Sequence, residues 1–255
     1  EDQLGIITSK IPAAADASVF DAQKDNAAGF AEGLKSAINR NLLLENRWKM
    51  ILDGLGVTVI ISLLAQLLGT LLGGVICFAL LRKNKFISSL GKLYCSLIRG
   101  LPMVVLLMIS YYIIFGKSDV SAVLIAVCAF AIVESVSVAS NLKGAIDTVD
   151  IVEIEAARSL GFTAFSAFRN VTLPQAVKRA LPAYCAGFIE LVKATAIVGY
   201  IAIQDLTRAG DIIRSRTYDA FFPILFVALV YLVVTSIFVY LLKKLVRMIN
   251  KEVRG

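Results

Sequence analysis

Five long apolar runs dominate the chain, at 55–81, 93–115, 120–139, 181–203 and 221–242. Each can cross a hydrocarbon core of about 30 Å at about 1.5 Å per helical residue. Backbone polar groups in lipid must pair within their own segment. These runs are too long and too evenly apolar for barrel strands. The pattern predicts an all-α polytopic membrane protein with five transmembrane helices. Between the third and fourth runs, residues 140–180 are too long and too periodic for a plain connection. Their spacing predicts a helix over 148–160, ended by Gly161 in the left-handed conformation. A second short helix is expected over 163–170 with Thr163 as N-cap, after which Leu173-Pro174 turns the chain back to the membrane. Phe162, Phe165 and Phe168 would give this two-helix knob an apolar face suited to a partner's groove.

Two further patterns are local. Phe30, Leu34, Ile38 and Leu42 recur every four residues and predict an amphipathic helix. Arg47-Trp48-Lys49 then reads as an interface anchor before the first span. Ala65, Gly69 and Gly73 repeat at four-residue spacing, which lets helices approach closely, either within one bundle or along a dimer seam.

Charge orients the chain. Arg82, Lys83, Lys85 and Lys92 follow the first span. Lys143, Arg158, Arg169, Lys178 and Arg179 follow the third, and Lys243, Lys244, Arg247, Lys251 and Arg254 the fifth. The opposite loops carry Lys117, Arg208, Arg214 and Arg216, with six more cations in the first 50 residues. The bias predicts the N-terminus outside and the C-terminus and the knob in the cytoplasm. The net charge of +7 is then a topology signal, with no nucleic-acid groove in the pattern. Mean hydropathy is +0.79, hydrophobic residues make up 58% and charged ones 18%, too little charge to cover a soluble domain of this length. There is no His, and Cys77, Cys95, Cys128 and Cys185 lie in apolar runs without a CxxC pair. They read as core residues, so no metal site, disulfide or cofactor is expected. Gly116-Lys117-Ser118 mimics the end of a P-loop, but Tyr111 stands where its first Gly should be. No nucleophile–base set suggests a membrane enzyme either.

The knob holds a longer motif: Glu155-Ala156-Ala157, three residues, Gly161, nine residues, then Val171-Thr172-Leu173-Pro174. It resembles the EAA coupling loop of ATP-binding-cassette (ABC) importer permeases, with Val171 in place of Ile. Arg99-Gly100-Leu101-Pro102 is similar to the Arg-Gly-Thr-Pro element of polar amino acid permeases, and residues 54–62 to the start of their first span. Asp205-Leu206-Thr207-Arg208-Ala209-Gly210 is similar to their outer-loop signature. The resemblance spans residues 42–247. Residues 193–200, 216–223 and 36–49 look most like the subgroup whose substrate receptor is fused upstream.

The resemblance implies an importer permease over 41–255 in the bacterial cytoplasmic membrane. Residues 1–40, rich in Ala, Asp, Lys and Ser and without a secretory signal, would be an extracytoplasmic tail left from a receptor or its linker. It implies four partners: a separate ABC ATP-binding subunit that hydrolyses ATP, an extracytoplasmic substrate-binding receptor, a second permease copy or homologue, and membrane lipid. Glu155, Ala156, Ala157, Gly161, Leu173 and Pro174 carry over as ATPase-coupling residues, with Glu155 holding the knob through backbone N–H groups. Asp205, Arg208 and Gly210 carry over as the outer motif. Two elements depart: Ala139-Ser140 stands where the family often has Ala-Glu, and Lys193-Ala194-Thr195-Ala196 where it has Lys-Asp-Thr-Ser. Both changes remove carboxylates near the path and leave the substrate's charge open.

Ionisable groups inside a span cost about 2.5–3.5 kcal/mol each on insertion scales and call for a reason. Arg99, Glu134, Glu190, Lys193 and Thr195 are therefore candidate path residues. Glu190 and Lys193, three apart, form either a self-neutralising pair or a bundle-facing lining of the path. Arg99 either snorkels to the interface or meets the coupling loop or a substrate carboxylate. Glu134 has Arg99 and Lys193 as candidate partners. The alternative to the importer is an ion-coupled secondary transporter or channel; five spans without an inverted repeat speak against it.

Overall fold

The computed structural model describes Gly29 and residues 31–251. All regular structure among the described residues is helical. Nine α-helices follow a short helical lead-in at 31–46: α1 (Trp48–Leu81), α2 (Lys85–Gly100), α3 (Met103–Met108), α4 (Ala122–Asp147), α5 (Ile151–Ser159), α6 (Ala164–Ala167), α7 (Leu173–Ala194), α8 (Leu206–Thr217) and α9 (Phe221–Lys251). Four helical stretches have the length and hydropathy to cross a membrane: α1, α4, the run Ala164–Ile201 and Phe221–Ile249.

The second expected span is not one straight helix. α2 and the stretch Met103–Ile114 qualify only together, and they are bent by 102°. Leu101 causes the break: proline's ring disfavours helix in the residue before it, and Leu101 is extended at φ −98°, ψ 131°. The chain restarts at Met103, where Leu106 N–H donates to the Pro102 carbonyl (3.1 Å).

α1 and α4 form the centre of the bundle. A Cβ on Gly69 would lie 2.8 Å from Glu134 Cβ, and one on Gly73 2.7 Å from Val138 Cβ. The small-residue stripe of α1 is thus spent on a seam inside the chain, and the dimer-seam reading falls. Around it pack Ile61, Leu107, Val127, Phe130, Val198 and Ile201, all buried. α9 is different, for only 6% of its apolar window is buried by this chain. Lipid or another protein must cover the rest. The four cysteines are free, three of them buried, as expected of core residues.

Leu34, Ile38 and Leu42 of the lead-in face Phe221, Phe222 and Leu225 at the start of α9. Phe30 lies outside the described residues, as does most of the 1–40 tail. Arg40 Nη2 and Asn41 Nδ2 both donate to Asp219 Oδ2 (2.7 and 2.9 Å). Arg47 turns inward to the Arg40 carbonyl (2.8 Å) rather than anchoring at an interface, while Trp48 is 41% exposed.

Candidate coupling knob and substrate path

The knob is α5, a turn and α6. α5 begins at Ile151, three residues later than the pattern predicts, because Asp150 caps it by accepting Val152 N–H (2.9 Å). An Asp with Glu153 three residues on was a legible start signal. Gly161 ends the helix at φ +89°, as its position predicts. Its N–H donates to the Arg158 carbonyl (3.1 Å), and Arg158 Nη1 reaches over the turn to the Phe162 carbonyl (3.1 Å). Thr163 caps α6, accepting Ser166 N–H (3.1 Å).

The two alanines of the motif have different roles. Ala157 is buried, as is Ala167 of α6, where the two short helices meet; Ala156 is exposed. A larger side chain at 157 would pry the knob open. Glu155 is exposed, and its carboxylate makes no hydrogen bond among the described residues. It does not hold the knob, contrary to the expected role; Arg158, Thr163 and the Ser159 hydroxyl on the Glu155 carbonyl (3.0 Å) do so. Leu160 is 81% and Phe165 69% exposed, so the knob presents bare apolar surface beside Glu155. Phe162 is also exposed and Phe168 half-buried.

Leu173-Pro174 does not turn the chain. α6 passes through a π-helical turn, Phe168–Thr172, directly into α7, with Leu173 N–H bonded to the Phe168 carbonyl. The wider π turn, with bonds five residues apart, makes room for the proline ring. Pro174 falls in the first turn of α7, where its missing N–H costs least. One helical run, Ala164–Ile201, therefore joins the knob to the membrane core. Its base is tied to α5 and to the end of α4: Gln175 bonds Glu153 of α5, and Arg179 bonds the carbonyl and hydroxyl (3.2 Å) of Thr148, the residue that closes α4.

The charged path candidates do not converge. Lys193 Nζ meets Glu190 Oε1 at 2.7 Å, but the side chains are 50% and 73% exposed and face out of this chain's bundle. Lys193 lines a cleft of about 530 Å³ between α7 and α9 with Tyr231, Thr235 and Tyr240. Thr195 is fully buried, its hydroxyl spent on the Val192 carbonyl (2.7 Å). Glu134 pairs with neither Arg99 nor Lys193. It is buried beside Gln66, and its Oε1 lies 3.2 Å from where a Cβ on Gly187 of α7 would sit. Gln66, buried with neither amide atom partnered among the described residues, is a polar group the sequence reading passed over. Arg99 bonds the Ser140 hydroxyl, a contact among those weighed for neither of its readings.

The outer motif is a self-contained cap. Asp205, fully buried, accepts Arg208 N–H (2.9 Å) and Thr207 N–H (3.1 Å) at the start of α8. Tyr231 of α9 donates to it (3.4 Å), and Leu206 N–H donates to Thr58 of α1 (3.3 Å). Arg208 pairs with Asp211 (2.8 Å) at the surface. Gly210 lets α8 approach Val227 so closely that a Cβ would collide with it.

Known proteins are similar to this chain in sequence and fold. Residues 65–251 match the family described as binding-protein-dependent transport system inner membrane component. The probable amino-acid ABC transporter permease protein YckA of Bacillus subtilis (strain 168) is 30% identical over 200 residues, 78% of this chain and 88% of that one. The probable glutamine ABC transporter permease protein GlnM of the same strain is 33% identical over 202 residues, 78% and 92% of the two chains. The crystal structure of an amino acid ABC transporter with histidines superposes with TM-score 0.75 at 37% identity, covering 81% of this chain and 97% of that one. The inward facing MetNI methionine ABC transporter shares the fold at 19% identity, with TM-score 0.68 over 78% and 96% of the chains. These matches over most of the chain give one classification: the chain belongs to the family of binding-protein-dependent transport system inner membrane components, as a permease subunit of the ABC type.

Proposed function

We propose that this permease imports a polar amino acid and is driven by a separate ABC ATPase that grips the α5–α6 knob. The observation that carries the reading is the single helical run Ala164–Ile201, which starts in the knob, passes its π-helical turn and Pro182 without a break, and carries Glu190 and Lys193 in its membrane half. A push on the knob moves the charged pair as one rigid body. Glu155, Leu160 and Phe165 are the groups left exposed for the ATPase groove. The Lys and Arg bias puts the knob in the cytoplasm, with an extracytoplasmic receptor delivering substrate on the α8 side.

Exposure of Glu190 and Lys193 supports a second permease. The pair lies about 15–20 Å from the outer end of its helical run, whose last stretch, Thr195–Ile201, is 3₁₀ helix, and neither side chain belongs in acyl chains. A second copy or homologue facing α7 and α9 would cover the pair and leave a polar path between the two chains. ATP then acts through its differential affinity for the two arrangements of the pair of permeases. That the relatives are named for amino acids and glutamine supports the substrate class. Their ABC naming does not favour an ion-coupled carrier or channel. By this reading residues 41–255 are the permease unit and the preceding segment is an extracytoplasmic tail.

Gly161→Pro tests the coupling. Proline requires φ near −65° where the chain stands at +89°, and it removes the N–H that Arg158 accepts. In proteoliposomes containing the ATPase and receptor, ATP-driven amino acid uptake is expected to fall at least tenfold while membrane insertion is unchanged. Uptake at the wild-type rate would remove the knob from the mechanism.

A further inference from the structure

α2 has no role in the mechanism above, and its geometry is unusual for a segment counted as half a span. It is about 24 Å long by helical rise. Near its start Ser88 donates to the Leu80 carbonyl (3.4 Å) and Gly91 packs on Leu80, both at the last turn of α1. At its end Arg99 bonds Ser140, two turns from the end of α4. The first half of α2 therefore sits at the end of α1, the cytoplasmic side in the orientation on which this inference rests, while its second half lies against α4 two turns or more inside that helix's end, where Tyr94 also meets Ser135 (3.0 Å). The 102° bend after it then sends α3 into the bilayer. α2 thus slants in from the end of α1 and leaves its first half beside the last two turns of α4.

Its residues sort into three faces at 100° per residue. Gly91 and Cys95 are buried against the bundle. Phe86, Leu90, Leu93 and Leu97 form a stripe on the opposite side, each more than half exposed. Between them, Lys92, Ser96 and Arg99 face Ser140, Lys143 and Asp147 of α4 across a cleft of about 560 Å³. Three cations meet one carboxylate there, and Asp147 is already paired with Lys143 (2.5 Å). Arg82, Lys83 and Lys85 add positive charge at the start of α2, with Arg82 stacked over Phe78 (4.2 Å).

We infer that this cleft binds the phosphate headgroup of an anionic phospholipid from the inner leaflet, with the acyl chains lying along the Phe86–Leu97 stripe. The apolar stripe beside a cationic notch selects a lipid over a soluble anion, since a soluble anion leaves the stripe bare. Seryl hydroxyls at 96 and 140 supply hydrogen-bonding groups between the cations. Bound lipid would wedge α2 against α4, next to the point where the knob's connection leaves the bundle at Thr148.

The test is lipid retention by the purified permease assembly, read by native mass spectrometry, with phosphatidylglycerol and phosphatidylcholine titrated separately. Phosphatidylglycerol is expected to be retained and phosphatidylcholine washed out. Lys92→Gln/Arg99→Gln/Lys143→Gln should weaken retention on the order of a hundredfold, at about fivefold per cation. Lys243→Gln/Lys244→Gln/Arg247→Gln, an equal charge loss at the end of α9, should leave it within about twofold. If the cleft triple variant does not fold, Lys92→Gln alone should give the fivefold loss. Equal retention of the two lipids, equal loss in both triple variants, no loss with Lys92→Gln, or displacement by millimolar inorganic phosphate would each overturn the inference. The assay uses neither ATP nor amino acid. A chain that kept phosphatidylglycerol but failed to import would sink the transport reading and leave the lipid site standing.

Discussion

The two-helix knob and the Asp205 cap are built alike and finished in opposite ways. Both are short helices started by a side-chain cap: Asp150 and Thr163 in the knob, Asp205 in the cap. The cap then buries what its motif supplies. Asp205, Leu206 and Ala209 are all fully buried, and Thr58 and Tyr231 close the polar network from two other helices. The knob buries Ala157 and leaves Glu155, Leu160 and Phe165 bare. A motif buried within its own chain serves the fold; one left exposed and apolar awaits a partner. On the function proposed above, the same word, motif, therefore covers a structural staple in one place and a contact surface in the other.

Asp205→Ala should break the comparison hardest. It removes an N-cap and strands buried donors on Tyr231 and at the start of α8. The expected loss is about 2–4 kcal/mol of stability, read as thermal denaturation in detergent. A shift below about 0.5 kcal/mol would mean that the cap is not the staple described here.

What could be read ahead of the structure divides along the same line. The apolar runs, Gly161 and Thr163 were legible because each depends on local chemistry: hydrophobic length, a φ open to glycine, a hydroxyl one residue before a helix. The break at Leu101 was half legible, since Pro102 disfavours helix before it, but its size depends on α2 packing against α1. Continuity through Pro174 was not legible, because a proline after a polar loop reads as a turn and a π-helical turn carries no sequence signature. Burial was the least accessible of all. Nothing near Asp205 names Thr58, 147 positions earlier, as the group that meets the next residue's N–H. The outward aim of Glu190 and Lys193 depends on which face of α7 the rest of the bundle occupies.

The knob supplies the intermediate effect. Leu160→Ser and Phe165→Ser remove surface that the described residues leave mostly bare, so stability should move by no more than about 0.5 kcal/mol. ATPase affinity should fall at least tenfold, about 1.4 kcal/mol, as expected for exposed apolar anchors entering a groove. Calorimetric titration of the reconstituted permease with its ATPase separates the two readouts. Lost stability with unchanged affinity would make the knob a second cap.

The smallest effect concerns a third region, which shares features of both. The lead-in helix is held to α9 through Asp219, which accepts Asn41 and Arg40. Those bonds, Asn41 first, hold its carboxyl down to about 2, below the ordinary 3.8. A depressed carboxylate stabilises the folded arrangement fully above the unfolded value and loses that contribution as pH falls from about 4 towards 2. The lead-in should thus stay docked down to about pH 4 and loosen below it, while Asp205 and its network continue to hold α8. Hydrogen exchange at residues 31–46 reads the change directly, and Asp219→Asn should raise exchange at neutral pH and flatten its pH dependence. Because Arg40 is more than half exposed, solvent screens its share, so the Asn41 bond should dominate. Asn41→Ala should then shift the midpoint further than Arg40→Gln. The reverse order would mark this clasp as a surface ion pair, closer in kind to Arg208–Asp211 than to the buried cap beside it.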